Sequence, residues 1–225
     1  YYTTSQAGDF HPTSSADIVY FPQNNDRVLF KSYSPSRSGL QRDLRFPISV
    51  NDQSNLPDID FMTAEHLSGF TREDRDVSLR FHHRLTKVEY LFTVADGVEI
   101  CPEDIALTLK GMKTTGVYDI FSETLTVNDD STADIEIPNR GTSSSRVGIV
   151  LPRPAGPGVS FDLTTSSGSV FTADMDEELA LKPGYKYLFH ITLEGTSMSV
   201  RVTIKDWIEG PTTNYDILGI STPAG

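Results

Sequence analysis

At 225 residues and 37% hydrophobic content, the chain can bury a core in one or two domains without covalent staples. Its 19 Lys and Arg against 31 Asp and Glu give a formal net charge of −12, which repels phosphate backbones and anionic lipid and excludes nucleic acid as a partner. The single cysteine, Cys101, excludes an internal disulfide and lacks the companions of a structural zinc site, so packing is its expected role.

The chain opens on Tyr1-Tyr2-Thr3-Thr4 with no signal-peptide core, and no run approaches the ~18 apolar residues of a membrane span; an exported protein is expected here in processed form. Strand-like runs follow at 17–21, 27–32, 77–81 and 88–94. Val77, Leu79 and Phe81 sit at odd positions whereas Val88, Tyr90, Phe92 and Val94 sit at even ones, which predicts a bulge or bend at 84–87. Runs at 105–110, 117–121 and 133–137 lead to the small, polar stretch Asn139-Arg140-Gly141-Thr142-Ser143-Ser144-Ser145, the best linker in the chain. It predicts an N-terminal domain, 1–143, and a smaller C-terminal domain, 144–225.

After runs at 147–151, 159–163 and 170–172 comes the strongest signal, a hairpin over 181–210. Tyr185, Tyr187, Phe189, Ile191 and Leu193 share one face of a period-two ribbon, and after Gly195-Thr196-Ser197 the residues Met198, Val200, Val202 and Ile204 do the same. One face of each strand is expected to be buried, with Trp207, the only tryptophan, as a core anchor. About a dozen short strands without a convincing amphipathic helix predict an all-β fold of sandwich type. The Thr, Ser and Gly richness looks like a secreted bacterial domain, against the reducing compartment that a lack of disulfides favours.

Candidate chemistry is thin. His82 and His83 are neighbours in a strand and point to opposite faces, and His11, His66 and His190 are isolated, so surface or partly buried hydrogen bonding is their expected use. Asn51-Asp52-Gln53-Ser54 and Asp58-Ile59-Asp60 offer oxygens to calcium but lack the EF-hand spacing, and Asx turns are the simpler reading. Glu177-Glu178 is one of many acid pairs, and there is no G-x-S-x-G elbow and no phosphate-binding glycine loop. No residue is nominated as catalytic, cofactor-binding or metal-binding, and no cofactor is expected.

Four segments in order nevertheless resemble the fimbrillin family, the type V pilus subunits and related surface proteins of Gram-negative anaerobes. Val19-Tyr20-Phe21-Pro22 with Val28-Leu29-Phe30-Lys31-Ser32-Tyr33-Ser34-Pro35 is similar to the family's tyrosine-proline and "F-x-A-Y-x-P" strands. Asp52-Gln53-Ser54 followed by Asp58-Ile59-Asp60-Phe61-Met62-Thr63-Ala64 resembles "D-Q-S … D-L-M-x-A". The 77–87 segment, VSLRFHHRLTK, resembles "V-x-L-x-F-x-H-R-L-A-K", and the stretch from Pro183-Gly184-Tyr185 to Ile204-Lys205-Asp206-Trp207 resembles "G-x-x-Y-x-Y-x-V-T-L … I-x-x-W".

The resemblance implies two tandem transthyretin-like β-sandwich domains without an active site. It also implies export as an outer-membrane lipoprotein precursor, removal of an N-terminal segment, a place in a fimbrium at the cell surface, and adhesion to a host or bacterial receptor or glycan. Subunits would join by strand donation, with the family's lipid-accepting cysteine, leader and first strand missing from these residues. The tail Asn214-Tyr215-Asp216-Ile217-Leu218-Gly219-Ile220-Ser221 is one donor candidate, a short edge strand within the same subunit being the other reading. A carbohydrate-binding module with Trp207 as platform is the alternative function, and a hydrolase would need a concave pocket holding acids of perturbed pKa.

Overall fold

The computed structural model describes residues 2–4, 10–18, 20–23, 25–35, 44–65, 67–74, 77–140 and 144–207. In chain order the first strands are β1 (Tyr2–Thr4), β2 (Phe10–Pro12), β3 (Val28–Phe30), β4 (Tyr33–Ser34) and β5 (Arg45–Ser49). The single-turn helix α1 (Leu56–Ile59) precedes β6 (Met62–Ala64), β7 (Leu67–Phe70) and β8 (Phe81–His83). Then come β9 (Thr86–Val94), β10 (Ala106–Lys113), β11 (Thr115–Asp119), β12 (Thr124–Val127) and β13 (Thr132–Ile137). β14 (Ser145–Val150), β15 (Ser160–Thr164), β16 (Val170–Asp174), β17 (Tyr185–Leu193) and β18 (Met198–Asp206) complete the all-β fold.

Two four-stranded sheets, ordered β14-β9-β17-β18 and β13-β10-β15-β16, pack face to face. Period-two alternation explains the contact: β9 turns Val88, Tyr90 and Phe92 inward, β17 turns Tyr187, Phe189, Ile191 and Leu193, and the facing sheet answers with Leu107, Leu109, Ile135, Ile137, Phe161 and Leu163, all buried. Tyr90 stacks on Phe189 with ring centroids 4.5 Å apart, and Phe161 meets the two rings edge-on at 5.3 and 6.3 Å. Each such side chain is worth about 1.5–3 kcal/mol when fully buried. β17 runs parallel to β9, and the remaining pairs of the two sheets are antiparallel.

The ribbon of β10 and β13 continues as β11 and β12 into a second layer, with β5 added on the far side of β11. Its bend falls at Thr114, whose N–H and hydroxyl both donate to the carbonyl of Ser131 while its own carbonyl accepts from Val50 N–H. Just before it, the β10–β13 register shifts between Leu109 and Met112, and Gly111 takes φ +71 with its α-carbon pressed against Gly158, so a Cβ there would run into the Gly158 carbonyl. β5 and β11 cover the small β4-β6-β8 sheet through Phe46, Phe61, Tyr118 and Tyr33, rings 4.3–6.5 Å apart.

Three expectations need correction. The 143/144 division does not separate two cores: β14 pairs with β9 and β15 with β10, so strands from both sides of it alternate in both sheets around one core running from Phe46 to Trp207. The described residues of the 17–21 run form no strand, the first of them closing a 3-10 turn over Ser15–Asp17. The bend expected at 84–87, by contrast, is present at Arg84 and Leu85, where the chain leaves β8 in one sheet for β9 in another. Cys101 does not pack in the core but is exposed ahead of the turn at Pro102–Asp104.

Candidate functional site: the open edge of the sandwich

The β14-β9-β17-β18 sheet has two edges, and the chain treats them differently. On β14, the buried Gln53 side chain accepts from Ile149 N–H at 2.9 Å and donates to the Ile149 carbonyl at 2.8 Å. Arg140 donates to the Val147 carbonyl at 2.6 Å and, with its second terminal nitrogen, to the Gln53 carbonyl. Polar side chains thus occupy backbone groups that an edge strand otherwise leaves free for another chain.

β18 receives no such cover from any described side chain. Its apolar row, Met198, Val200, Val202 and Ile204, was expected to be buried; instead Val200 and Ile204 are 39% and 40% exposed, since β18 has a neighbour on one side only. Across the sandwich the facing edge is β16, whose inward Phe171 and Ala173 are half-buried. The sandwich therefore closes at β13/β14, where Ile137 packs against Gly148, and opens between β16 and β18 as a strip with apolar lips and, among the described residues, no strand paired to either outer edge.

The chain direction of β18 is fixed at its end by Trp207. The indole is 5% exposed, stacks on His83 at 3.7 Å between centroids and 6° between planes, and lies under Lys87, whose Nζ is 5.3 Å from the ring centre. His83 Nδ1 is 2.8 Å from the Asp60 carboxylate, and both side chains are buried. Trp207 thus anchors the core and offers no exposed platform for a sugar. His82 points outward to Glu65 at 2.9 Å, as alternation requires. His11 and His190 are exposed, and His66 lies outside the described residues.

The oxygens considered for calcium do not converge. Asp52 accepts from Ser54, hydrogen bonds that hold its carboxyl below the usual carboxylate range; Asp58 accepts from Asn55 at 2.6 Å; Asp60 faces His83. Among the described residues no group of three His, Cys, Asp or Glu is placed to hold a metal. Glu177 and Glu178 lie exposed in a turn where Asp176 caps the Glu178 N–H.

A cavity of about 660 Å³ opens at one end of the sandwich beside Asp52, Glu103, Asp104 and Glu136. Arg146 closes its floor with its guanidinium spent on the Glu103, Ile105 and Ser145 carbonyls, and burial draws its pKa below the usual value. Gln53, Arg140 and Arg146 escaped the reading of the sequence, where only the polar Asp52-Gln53-Ser54 triplet gave a sign of them. The tail at 214–221, named as a donor candidate, lies outside the described residues.

The described residues thus form an all-β sandwich with one sheet edge plugged by side chains and the other without such cover. The fimbrillin-like family profile matches residues 1–207, and the chain belongs to that family. It is 28% identical over 220 residues to a Bacteroides uniformis protein named as fimbrium subunit Fim1C on provisional assignment, covering 93% of this chain and 72% of the relative. A crystal structure from B. uniformis, provisionally titled a cell adhesion protein, superposes with a TM-score of 0.83 at 26% identity over 92% of this chain and 84% of the other. A second such structure, from Bacteroides ovatus, shares the fold at TM-score 0.72 and 18% identity, over 93% and 79% of the two chains. Family membership places the chain among fimbrial and cell-surface adhesion proteins.

Proposed function

We propose that this chain is a non-enzymatic fimbrial subunit that joins its neighbours by accepting a donated β-strand along the open β16/β18 edge, and so contributes to adhesion at the cell surface. The carrying observation is the contrast between edges: Gln53 and Arg140 occupy backbone groups of β14, while no described residue covers the outer backbone of β18 and Val200 and Ile204 are exposed. A donated strand would satisfy the bare backbone and lay alternate side chains on the apolar row, the mode by which extended segments add to sheet edges. The donor comes from another fimbrial subunit or from a second copy. Export as an outer-membrane lipoprotein precursor belongs to the same reading.

The test replaces Val200 and Ile204 with Glu, on exposed positions that leave the aromatic core intact. Full-length precursor, processed in its native host or by added protease, should give denaturant-resistant ladders on a gel when wild type and only monomer when doubly substituted. Ladders undiminished by the double substitution would refute the edge as acceptor.

A further inference from the structure

The two outer faces of the sandwich carry opposite charge. Outside the β14-β9-β17-β18 sheet, Lys186 pairs in register with Lys87 on one side and Lys205 on the other, so three lysines cross adjacent strands in one row. Arg201 and His190 pair on the same face farther along. Among the described residues its only carboxylate is Glu89, which is bonded to Lys186. Outside the β13-β10-β15-β16 sheet stand four carboxylates, Asp134, Glu136, Asp162 and Asp174, against the single cation Lys110, itself held between Asp134 at 3.2 Å and Asp162 at 3.4 Å.

Like charges directly opposite one another in a sheet are destabilising; within the chain Glu89 offsets Lys186 and the Trp207 ring takes Lys87, which leaves the β18 end of the face, Arg201 and Lys205, as its outward charge. Its presence is the more telling in a protein of net charge −12, where cations are the scarce sign. Arg201 and Lys205 are exposed and have no ion-pair partner among the described residues.

We propose that the basic outer face of one copy docks on the acidic outer face of a second copy, a side-by-side contact independent of the β16/β18 edge. The partner is argued from complementarity: four cations with one carboxylate meet four carboxylates with one cation, on surfaces of the same sandwich and the same strand count. A contact between unlike faces leaves each copy with one face free, so it repeats from copy to copy instead of ending in a pair. The smaller, acidic face, with strands ~4.8 Å apart and 5 to 8 residues long, measures roughly 400 Å² at most, half the ~800 Å² per partner of a stable complex. The contact is therefore weak between monomers, and strong where many subunits are held in line along two filaments.

The test is sedimentation equilibrium of unpolymerised protein at about 0.01 M and about 1 M salt, where charges are screened beyond ~30 Å and ~3 Å. Wild type should associate with rising concentration in low salt, in roughly the 0.1–1 mM range, and return to monomer in high salt. R201E/K205E, with two acidic faces, and E136K/D174K, with two basic faces, should each associate at least about tenfold more weakly, yet an equimolar mixture of the two should recover association. Unchanged Trp207 emission confirms that both variants are folded.

Wild type that stays monomeric in low salt, association indifferent to salt, or a mixture that fails to recover would each overturn the proposal. Binding of monomeric wild type, but not R201E/K205E, to an immobilised sulfated polysaccharide would overturn it in favour of a polyanionic glycan. Strand-locked polymers survive denaturant and this contact dissolves in salt, so either reading can fail without the other.

Discussion

Trp207→Ala removes the side chain on which the end of β18 is pinned. Three contacts are lost at once: the stack on His83 at 3.7 Å, the Lys87 ammonium 5.3 Å above the ring, and the apolar burial of a residue only 5% exposed. The backbone bond from Trp207 N–H to the Gly184 carbonyl, 2.8 Å, survives, so the loss is that of the indole alone. Emptying a large aromatic site costs about 3–5 kcal/mol, and water reaching the buried His83–Asp60 pair holds the value near the middle or upper part of that range. About 4 kcal/mol in a protein of this size lowers Tm by roughly 8–16 °C. Calorimetry or far-UV circular dichroism reads the shift, with Trp207→Phe as a control that keeps an aromatic stack and loses less than half as much. A Trp207→Ala protein melting within about 2 °C of wild type would show that the anchor carries no load and that the argument from burial is wrong.

Gly111→Ala should cost more than about 3 kcal/mol in urea unfolding, because the added methyl meets the Gly158 carbonyl and the φ of +71 is strained for any other residue; a loss under about 1 kcal/mol would mean the bend yields freely. Tyr90→Phe should leave stability unchanged or raise it by up to about 1 kcal/mol, since the buried Tyr90 hydroxyl has no hydrogen-bond partner among the described residues and burial pushes its pKa upward; a clear loss would reveal a partner. Asp119 accepts from the Ser122 and Phe121 N–H groups, bonds that lower its pKa. Its contribution is therefore complete above the unfolded carboxylate pKa and lost as pH falls through the lower folded one. In urea titrations from neutral pH to about pH 3, Asp119→Ala should lose less stability on acidification than wild type, and parallel curves would refute this.

Where a strand is long and buried on one face, its residues announce it. The alternation in 86–94 and 185–193 is nearly complete because each strand has neighbours on both sides and one face packed on aromatic rings. Partner choice is a different matter. Period two says which residues share a face and nothing of which sheet receives them, so a polar stretch at 139–145 resembled a linker although β14 returns from it directly onto β9. The apolar row of β18 misled for the same reason: its pattern matches that of a buried strand, and only its place at the rim exposes it. β4, β6 and β8, two or three residues each, are too short to carry a period, and Gln53 plugs an edge 96 residues away in sequence, beyond any local pattern.

The unequal edges bear on how such a chain avoids uncontrolled pairing. A sheet with two bare edges adds strands at either side, whereas under the proposed strand donation Gln53 and Arg140, bonded to β14, leave the β18 side for addition. On that side Arg201 and Lys205 stand along the strand with Ser199 and Thr203, and charged residues on an edge resist indiscriminate pairing without blocking a segment whose side chains fit the apolar row on the opposite face. The order of selection then follows from distance. Charge acts first, across a Debye length of ~8 Å at physiological ionic strength, and repels basic segments; apolar fit acts on contact and decides which of the remaining segments stays. Under the proposed strand donation, a donor with acidic or neutral residues toward Arg201 and Lys205, and branched apolar residues toward Val200 and Ile204, is the one the edge would retain.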